Sequence, residues 1–162
     1  MRPFVILLML ISLVSASKAA SLCNASEKIY FSCIANGKII SLCGSTDLRK
    51  NTGYLQYRFG ENINKIELEY PQKRENPSKH FTYGNTPYSR GWRTSVNFSI
   101  GRYRYSINNA VLTDGPPSYK EHKLSGVTVF KDADQISDAQ CNNYTPFALE
   151  PSRLGIPYRD AE

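Results

Sequence analysis

The chain has 162 residues, 41% of them hydrophobic and 21% charged, with 11 Tyr, 7 Phe, four cysteines and a formal net charge of +6. One domain suits that length, and so apolar and aromatic a composition excludes a disordered chain. The Gly and Pro residues follow no period and no heptads occur, which excludes collagen-like and coiled-coil folds; a single apolar stretch, at the N-terminus, excludes a polytopic membrane protein.

Met1 and Arg2 open the chain with positive charge, Phe4 to Val14 is an apolar run of eleven residues, and Ser17-Lys18-Ala19 puts small residues at both cleavage-recognition positions. These are the three parts of a secretory signal peptide over residues 1–19. The run reaches only about half of the roughly 20 residues that span a bilayer, and Leu22 before Cys23 is too bulky for a lipoprotein signal. The mature chain is expected to begin near Ala20, to be periplasmic or secreted, and to carry no membrane span. Without Arg2 and Lys18 it holds 18 basic and 14 acidic residues, a charge of +4. Residues 27–104 carry +7 and residues 105–162 carry −3. The basic part suits an anionic partner, although ordinary solvated charge accounts for it more simply.

Cys23, Cys33, Cys43 and Cys141 all follow the signal, and an even count in an exported chain predicts two disulfides. None forms a CxxC pair, which argues against a redox enzyme or a zinc ribbon. Residues 27–43 read as two strands around Asn36-Gly37, the strongest short hairpin signal. That turn sets Ala35 opposite Lys38, Cys33 opposite Ile40 and Cys43 opposite Tyr30, with Cys33 and Cys43 on different faces. The favoured pairing is Cys23–Cys43 with Cys33–Cys141.

A second hairpin is predicted over residues 53–70. Pairing Phe59 with Ile66 brings Tyr57 onto Leu68 and Leu55 onto Tyr70, and sets Arg58 opposite Glu67 as an exposed ion pair. A third turns at Gly101-Arg102, so that Ile100 faces Tyr103, Phe98 faces Tyr105 and Val96 faces Ile107 on one apolar face. Further strands are expected at residues 127–130 and 135–141, and no segment has a helical period. The fold class is all-β: antiparallel hairpins forming a small barrel or sandwich, stapled by two disulfides, over residues 20–141. Residues 142–162 form an irregular Pro-containing tail. The long connections 71–92 and 108–126 are the expected contact surfaces.

Chemistry-bearing patterns are sparse. No nucleophile elbow, phosphate-cradling loop or zinc-helix motif occurs, so no catalytic residue, metal or cofactor is assigned. Asp132, Asp134 and Asp138 lack the glycine of a calcium loop and have Ile136 at a ligand position. A small, basic, disulfide-bonded secreted chain with two histidines permits a ribonuclease with His80 and His122 as base and acid, if their loops meet. Residues 89–105 interleave four arginines with four aromatics, a pattern that can bind single-stranded nucleic acid. The register puts most of those rings in the core, which argues against a nucleic-acid partner. Arg90, Trp92 and Arg93 precede the expected strand and are the candidate binding residues, Trp and Arg being enriched at binding hot spots. Asn24, Asn97 and Asn143 begin glycosylation sequons at about the frequency expected by chance.

The segments YFSC (Tyr30 to Cys33), NGKIISLCGS (Asn36 to Ser45) and GYLQYRFG (Gly53 to Gly60) resemble a family of small exported bacterial proteins of uncharacterised function, and GVTVFKD (Gly126 to Asp132) does so loosely. The resemblance covers about the first third of the mature chain closely. It implies a periplasmic or secreted bacterial protein, makes the sequons irrelevant and supplies no catalytic residue. The chain is also similar in outline to periplasmic lysozyme inhibitors, small β-barrels whose inhibitory loop carries Ser-Gly-x-x-Tyr. Ser125-Gly126 is present, but Val129 stands at the Tyr position, and a charge of +4 meets a cationic lysozyme with like charge. The leading expectation is a non-enzymatic exported binding protein whose partner is a protein or envelope component. Lysozyme inhibition is the first alternative and ribonuclease the second.

Overall fold

The computed structural model describes residues 20–159, so the expected signal peptide lies outside the described residues. Nine strands follow one another: β1 (Lys28–Ala35), β2 (Lys38–Gly44), β3 (Leu55–Asn62), β4 (Lys65–Tyr70), β5 (Thr82–Tyr88), β6 (Gly91–Ile100), β7 (Tyr103–Thr113), β8 (Glu121–Lys131) and β9 (Asp134–Gln140). One 3-10 turn, Pro77–Lys79, precedes β5. Strands β1 to β4 form one antiparallel meander and β5 to β9 a second, with no strand pairing between the two sheets among the described residues. The fold is all-β, and of the two expected architectures it is the sandwich.

The third hairpin has the expected register throughout, from Ile100 opposite Tyr103 to Val96 opposite Ile107. Gly101 has φ of 58° at the turn, where a glycine carries no steric penalty. The first hairpin also turns at Asn36-Gly37, with Cys33 opposite Ile40. A bulge at Tyr30 then moves Cys43 opposite Ile29 rather than Tyr30.

The second hairpin differs by two residues. Phe59 pairs with Leu68, Arg58 with Glu69 and Tyr57 with Tyr70. The strands run further than expected, to a two-residue turn at Ile63-Asn64, where the Asn64 N–H donates to Asn62 Oδ1 at 2.9 Å. Register irregularities on either side of Gly60 absorb the surplus residues. The chains approach so closely there that a Cβ on Gly60 would lie 2.3 Å from the Lys65 carbonyl oxygen. The connections are also shorter than expected. Residues 71–92 contain β5 and the start of β6, while 108–126 is mostly β7 and β8, leaving only 114–120 outside strands.

The inner faces of the two sheets meet in one core. Phe31, Ile40, Leu42, Leu55 and Tyr57 of the first sheet pack with Val96, Phe98, Ile107 and Val127 of the second. Phe98 anchors the contact, its ring 4.7 Å from both Tyr70 and Tyr105 in stacked geometry. Both disulfides have the expected pairing, Cys23–Cys43 and Cys33–Cys141. The second joins the first sheet to the chain leaving β9.

From there the C-terminal segment acts as a strap. Its backbone bonds to the exposed edge of β1 (Asn142 N–H to Ile34 O at 2.8 Å, Ala148 N–H to Tyr30 O at 2.7 Å). It then crosses to the edge of β5, where Tyr83 N–H donates to Pro157 O and Arg159 N–H to Tyr83 O. Leu149, Leu154 and Ile156 are buried along the way. One irregular segment thus covers an edge strand of each sheet, a usual protection against edge-to-edge association.

The outer face of the first sheet is covered too. Residues 20–27 lie across it, held by Cys23–Cys43 and by Leu22 N–H donating to Ser41 Oγ. Beneath them Arg58 is buried, with side-chain exposure of 2%, and its guanidinium donates to Glu27, Glu69, Gln56 Oε1 and the Leu22 carbonyl. The expected exposed pair with Glu67 is therefore a buried network with other partners. Burial pushes the Glu27 carboxyl up, but hydrogen bonds from Arg58, the Asn24 N–H and the Tyr54 hydroxyl outweigh it and hold the group below the ordinary glutamate value. A carboxyl lowered on folding stabilises fully above its unfolded pKa and loses that contribution as pH falls through the folded one. Stability is accordingly expected to decline with acidification below about pH 4.3, and urea titrations across that range should show Glu27→Gln flattening the decline.

Candidate ligand cavity between the sheets

The sheets are not in contact along their whole length. Near the β1–β2 turn they part around a cavity of about 350 Å³. The first sheet lines it with Ala35, Ile40, Tyr57, Phe59 and Leu68, and the second with Tyr105, Val127, Val129 and Ala139. Two features leave the space open. Ala35 and Ala139 are small residues at inward positions, and no strap residue lines the cavity. The strap fills the inter-sheet space elsewhere, where Phe147 sits 5.4 Å from Phe31.

Tyr57 forms part of the wall. It is 2% exposed, with its ring 4.9 Å from Phe98 and 6.1 Å from Tyr105. Burial, with Tyr105 adding to it, pushes the Tyr57 hydroxyl far above the ordinary tyrosine value, so it remains protonated and able to donate. Among the described residues no group hydrogen-bonds to it. Among the described residues no sealed side-chain polar atom is left without a partner, so the unpaired hydroxyl reaches accessible space, and Tyr57 lines the cavity.

The mouth carries Asn36, Lys38, Glu67 and Ser137. Lys38 Nζ binds Glu67 and lies 2.8 Å from Glu61, which also pairs with Lys65 at 2.8 Å. These bonds raise the Lys38 ammonium and lower the Glu61 carboxyl from their ordinary values. Two cations and two carboxylates cancel, so the entrance favours no ionic ligand.

The sequence-derived candidates lie elsewhere. Trp92 and Arg93 belong to β6, and Arg90 occupies the β5–β6 turn with its carbonyl accepting from Thr113 N–H at 2.8 Å. Trp92 is 39% exposed between Pro87 and Val111, and the Arg93 guanidinium lies 5.8 Å over Tyr88. The three share one end of the second sheet. Val111 is six residues along β7 from Tyr105, about 20 Å, so none of them reaches the cavity. Each histidine pairs with a carboxylate of its own region, His80 with Glu75 at 2.6 Å and His122 with Asp114 at 2.9 Å. Asp132 sits in the β8–β9 turn against Arg102, and Asp138 accepts from Thr128 and Gln140. Ser125 and Gly126 fall within β8, with Ser125 buried and bonded to Thr145 of the strap.

Sequence reasoning set Tyr57 beside Leu68 in the second hairpin but pointed to no open space next to it. The available signal was the small residue at Ala35 and at Ala139, both of which line the cavity.

Fold and site together define a β-sandwich of four strands against five with an inter-sheet cavity, and its two disulfides fit an oxidising, extracytoplasmic compartment. No helix among the described residues is long and apolar enough to cross a membrane. No protein-family model, curated protein or solved structure matches the chain.

Proposed function

We propose that this chain is a non-enzymatic binding protein, periplasmic or secreted, that holds a small neutral ligand with an apolar body in the cavity between its sheets. The observation that carries this reading is the cavity itself, walled from both sheets by aliphatic side chains and by the Tyr57 and Tyr105 rings, with the Tyr57 hydroxyl unpaired among the described residues. A tyrosine hydroxyl with accessible space beside it can donate to a ligand oxygen. The volume of about 350 Å³ lies at the lower end of small-molecule sites, which are mostly apolar with a few placed polar groups. The charge-balanced mouth favours a neutral ligand over an ion. Both disulfides, and the signal-peptide pattern of residues 1–19, support the location.

The fluorescent amine N-phenyl-1-naphthylamine, neutral and apolar, tests the reading. The wild type is expected to bind it saturably, at one site. Ala139→Leu and, separately, Ala35→Leu occupy the cavity from opposite walls, and each is expected to weaken binding by about tenfold or more while the melting temperature stays near that of the wild type. Undiminished binding by both variants would place the probe elsewhere and remove the cavity as the site.

A further inference from the structure

A second concave site lies at the other end of β1. Lys28 and Ala35 are seven residues apart, about 24 Å along the strand, and where Ala35 borders the neutral cavity Lys28 borders a cleft of about 510 Å³. The cleft separates the loop after β2, residues 45–53, from strap residues 148–154. Its floor is apolar, made by Tyr30, Leu48, Leu149 and Leu154, all of them core residues. Its rim is cationic, with Lys28, Arg49, Lys50 and Arg153.

These cations differ in how far they are already occupied. Arg153 pairs with Glu150 at 2.6 Å, and the Lys28 ammonium sits 4.9 Å over the Tyr30 ring. Arg49 and Lys50 are exposed and have no side-chain ion pair among the described residues. Asp47, which acts on the Tyr30 hydroxyl, and Glu150 are the neighbouring carboxylates, so the four cations leave an excess of positive charge.

The two unpaired cations stand on fixed backbone. Arg49 and Thr52 exchange backbone hydrogen bonds at 3.1 and 3.3 Å, and the Asn76 amide donates to both of their carbonyls. On the other side the strap passes so near that a Cβ on Gly155 would fall 2.7 Å from Lys50 Cγ. Positions set in advance reduce the ordering cost of binding. A pair of cations on fixed backbone, lining the same cleft as an apolar floor, matches a ligand with an anionic head and an apolar portion. Arg supplies a planar fork for phosphate oxygens and Lys a point charge beside it.

We infer that this cleft is a binding site for a phosphate-headed amphiphile, its head on Arg49 and Lys50 and its apolar portion on the Tyr30–Leu48–Leu149–Leu154 floor. The site is independent of the inter-sheet cavity, which takes neutral ligands.

Calorimetric titration with dodecyl phosphate below its micellar concentration tests the inference, with inorganic phosphate and neutral dodecyl maltoside as comparisons. The wild type is expected to bind dodecyl phosphate more tightly than either. Arg49→Ala combined with Lys50→Ala is expected to weaken that binding by about tenfold or more, and added salt to weaken it in the wild type. Binding of N-phenyl-1-naphthylamine should not change, which separates this site from the cavity. Sedimentation with phosphatidylglycerol vesicles, but not with phosphatidylcholine vesicles, would show that the amphiphile is met in a membrane; binding of dodecyl phosphate without vesicle binding would show a soluble source. Both positions are exposed, so the double variant is expected to fold, and its melting curve checks this. Equal dodecyl phosphate binding by wild type and double variant, equal binding of dodecyl maltoside, or no binding at all would overturn the inference.

Discussion

Arg58→Ala is expected to lower the unfolding free energy by about 3–5 kcal/mol. The guanidinium donates from Nε to Glu69 at 2.8 Å, from Nη1 to Glu27 at 2.6 Å and the Leu22 carbonyl at 3.1 Å, and from Nη2 to Glu27 at 3.0 Å and Gln56 at 2.8 Å. Removing it leaves the buried Glu27 carboxylate with the Asn24 N–H, the Tyr54 hydroxyl and the exposed Arg74 guanidinium at 3.6 Å, and strips the Leu22 carbonyl of a donor. The large cost comes from this poorly compensated burial rather than from the net worth of an intact pair. Lysine is expected to be a poor substitute, because a single ammonium cannot reproduce a planar fork. Glu69 is the internal control. Its side chain is 35% exposed, so Glu69→Ala is expected to cost under about 1 kcal/mol. Urea unfolding with an unchanged slope reads both values. Equal costs for the two variants would mean that the polar layer under residues 20–27 does not contribute as described.

Losing the Cys33–Cys141 disulfide is expected to have the other large effect. The bridged residues are 108 apart in sequence, against 20 for Cys23–Cys43. In the chain-entropy treatment these loops correspond to about 5 and about 3 kcal/mol. The longer bridge also ties the first sheet to the start of the strap, whose backbone then covers the edge of β1. Cys33→Ala with Cys141→Ala is therefore expected to lower stability more than Cys23→Ala with Cys43→Ala, and to leave the β1 edge amides faster to exchange with deuterium. The reverse order in urea unfolding would contradict this assignment.

Much of the architecture was legible because strand alternation and turn chemistry agree with one another. Gly101-Arg102 and Asn36-Gly37 fixed two hairpins, and the faces they imply led to the correct cysteine pairing. The second hairpin escaped because a shift of two residues leaves every side chain on the same face. Alternation therefore could not tell Glu67 from Glu69 as the partner of Arg58, and the bulges at Gly60 decide it. The burial of Arg58 escaped for a different reason. The pattern of β3 shows which face is polar, but not that residues 20–27 fold back to cover that face. The candidate site was the least legible. Trp92 and Arg93 stand out by residue type, whereas the cavity depends on where two inward faces fail to touch. Ala35 and Ala139 meet its walls from opposite sheets and are far apart in the chain.

The central claim, that the space between the sheets binds a small neutral ligand, is tested most directly by amide and methyl NMR during titration with N-phenyl-1-naphthylamine. Shifts are expected at Ile40, Leu68, Val127, Val129 and Ala139, with the Tyr57 and Tyr105 ring signals moving in parallel, and little change at Leu48, Arg49 or Trp92. Shifts confined to the surface around Trp92 or to the basic cleft, with those methyl signals unmoved at saturation, would contradict it.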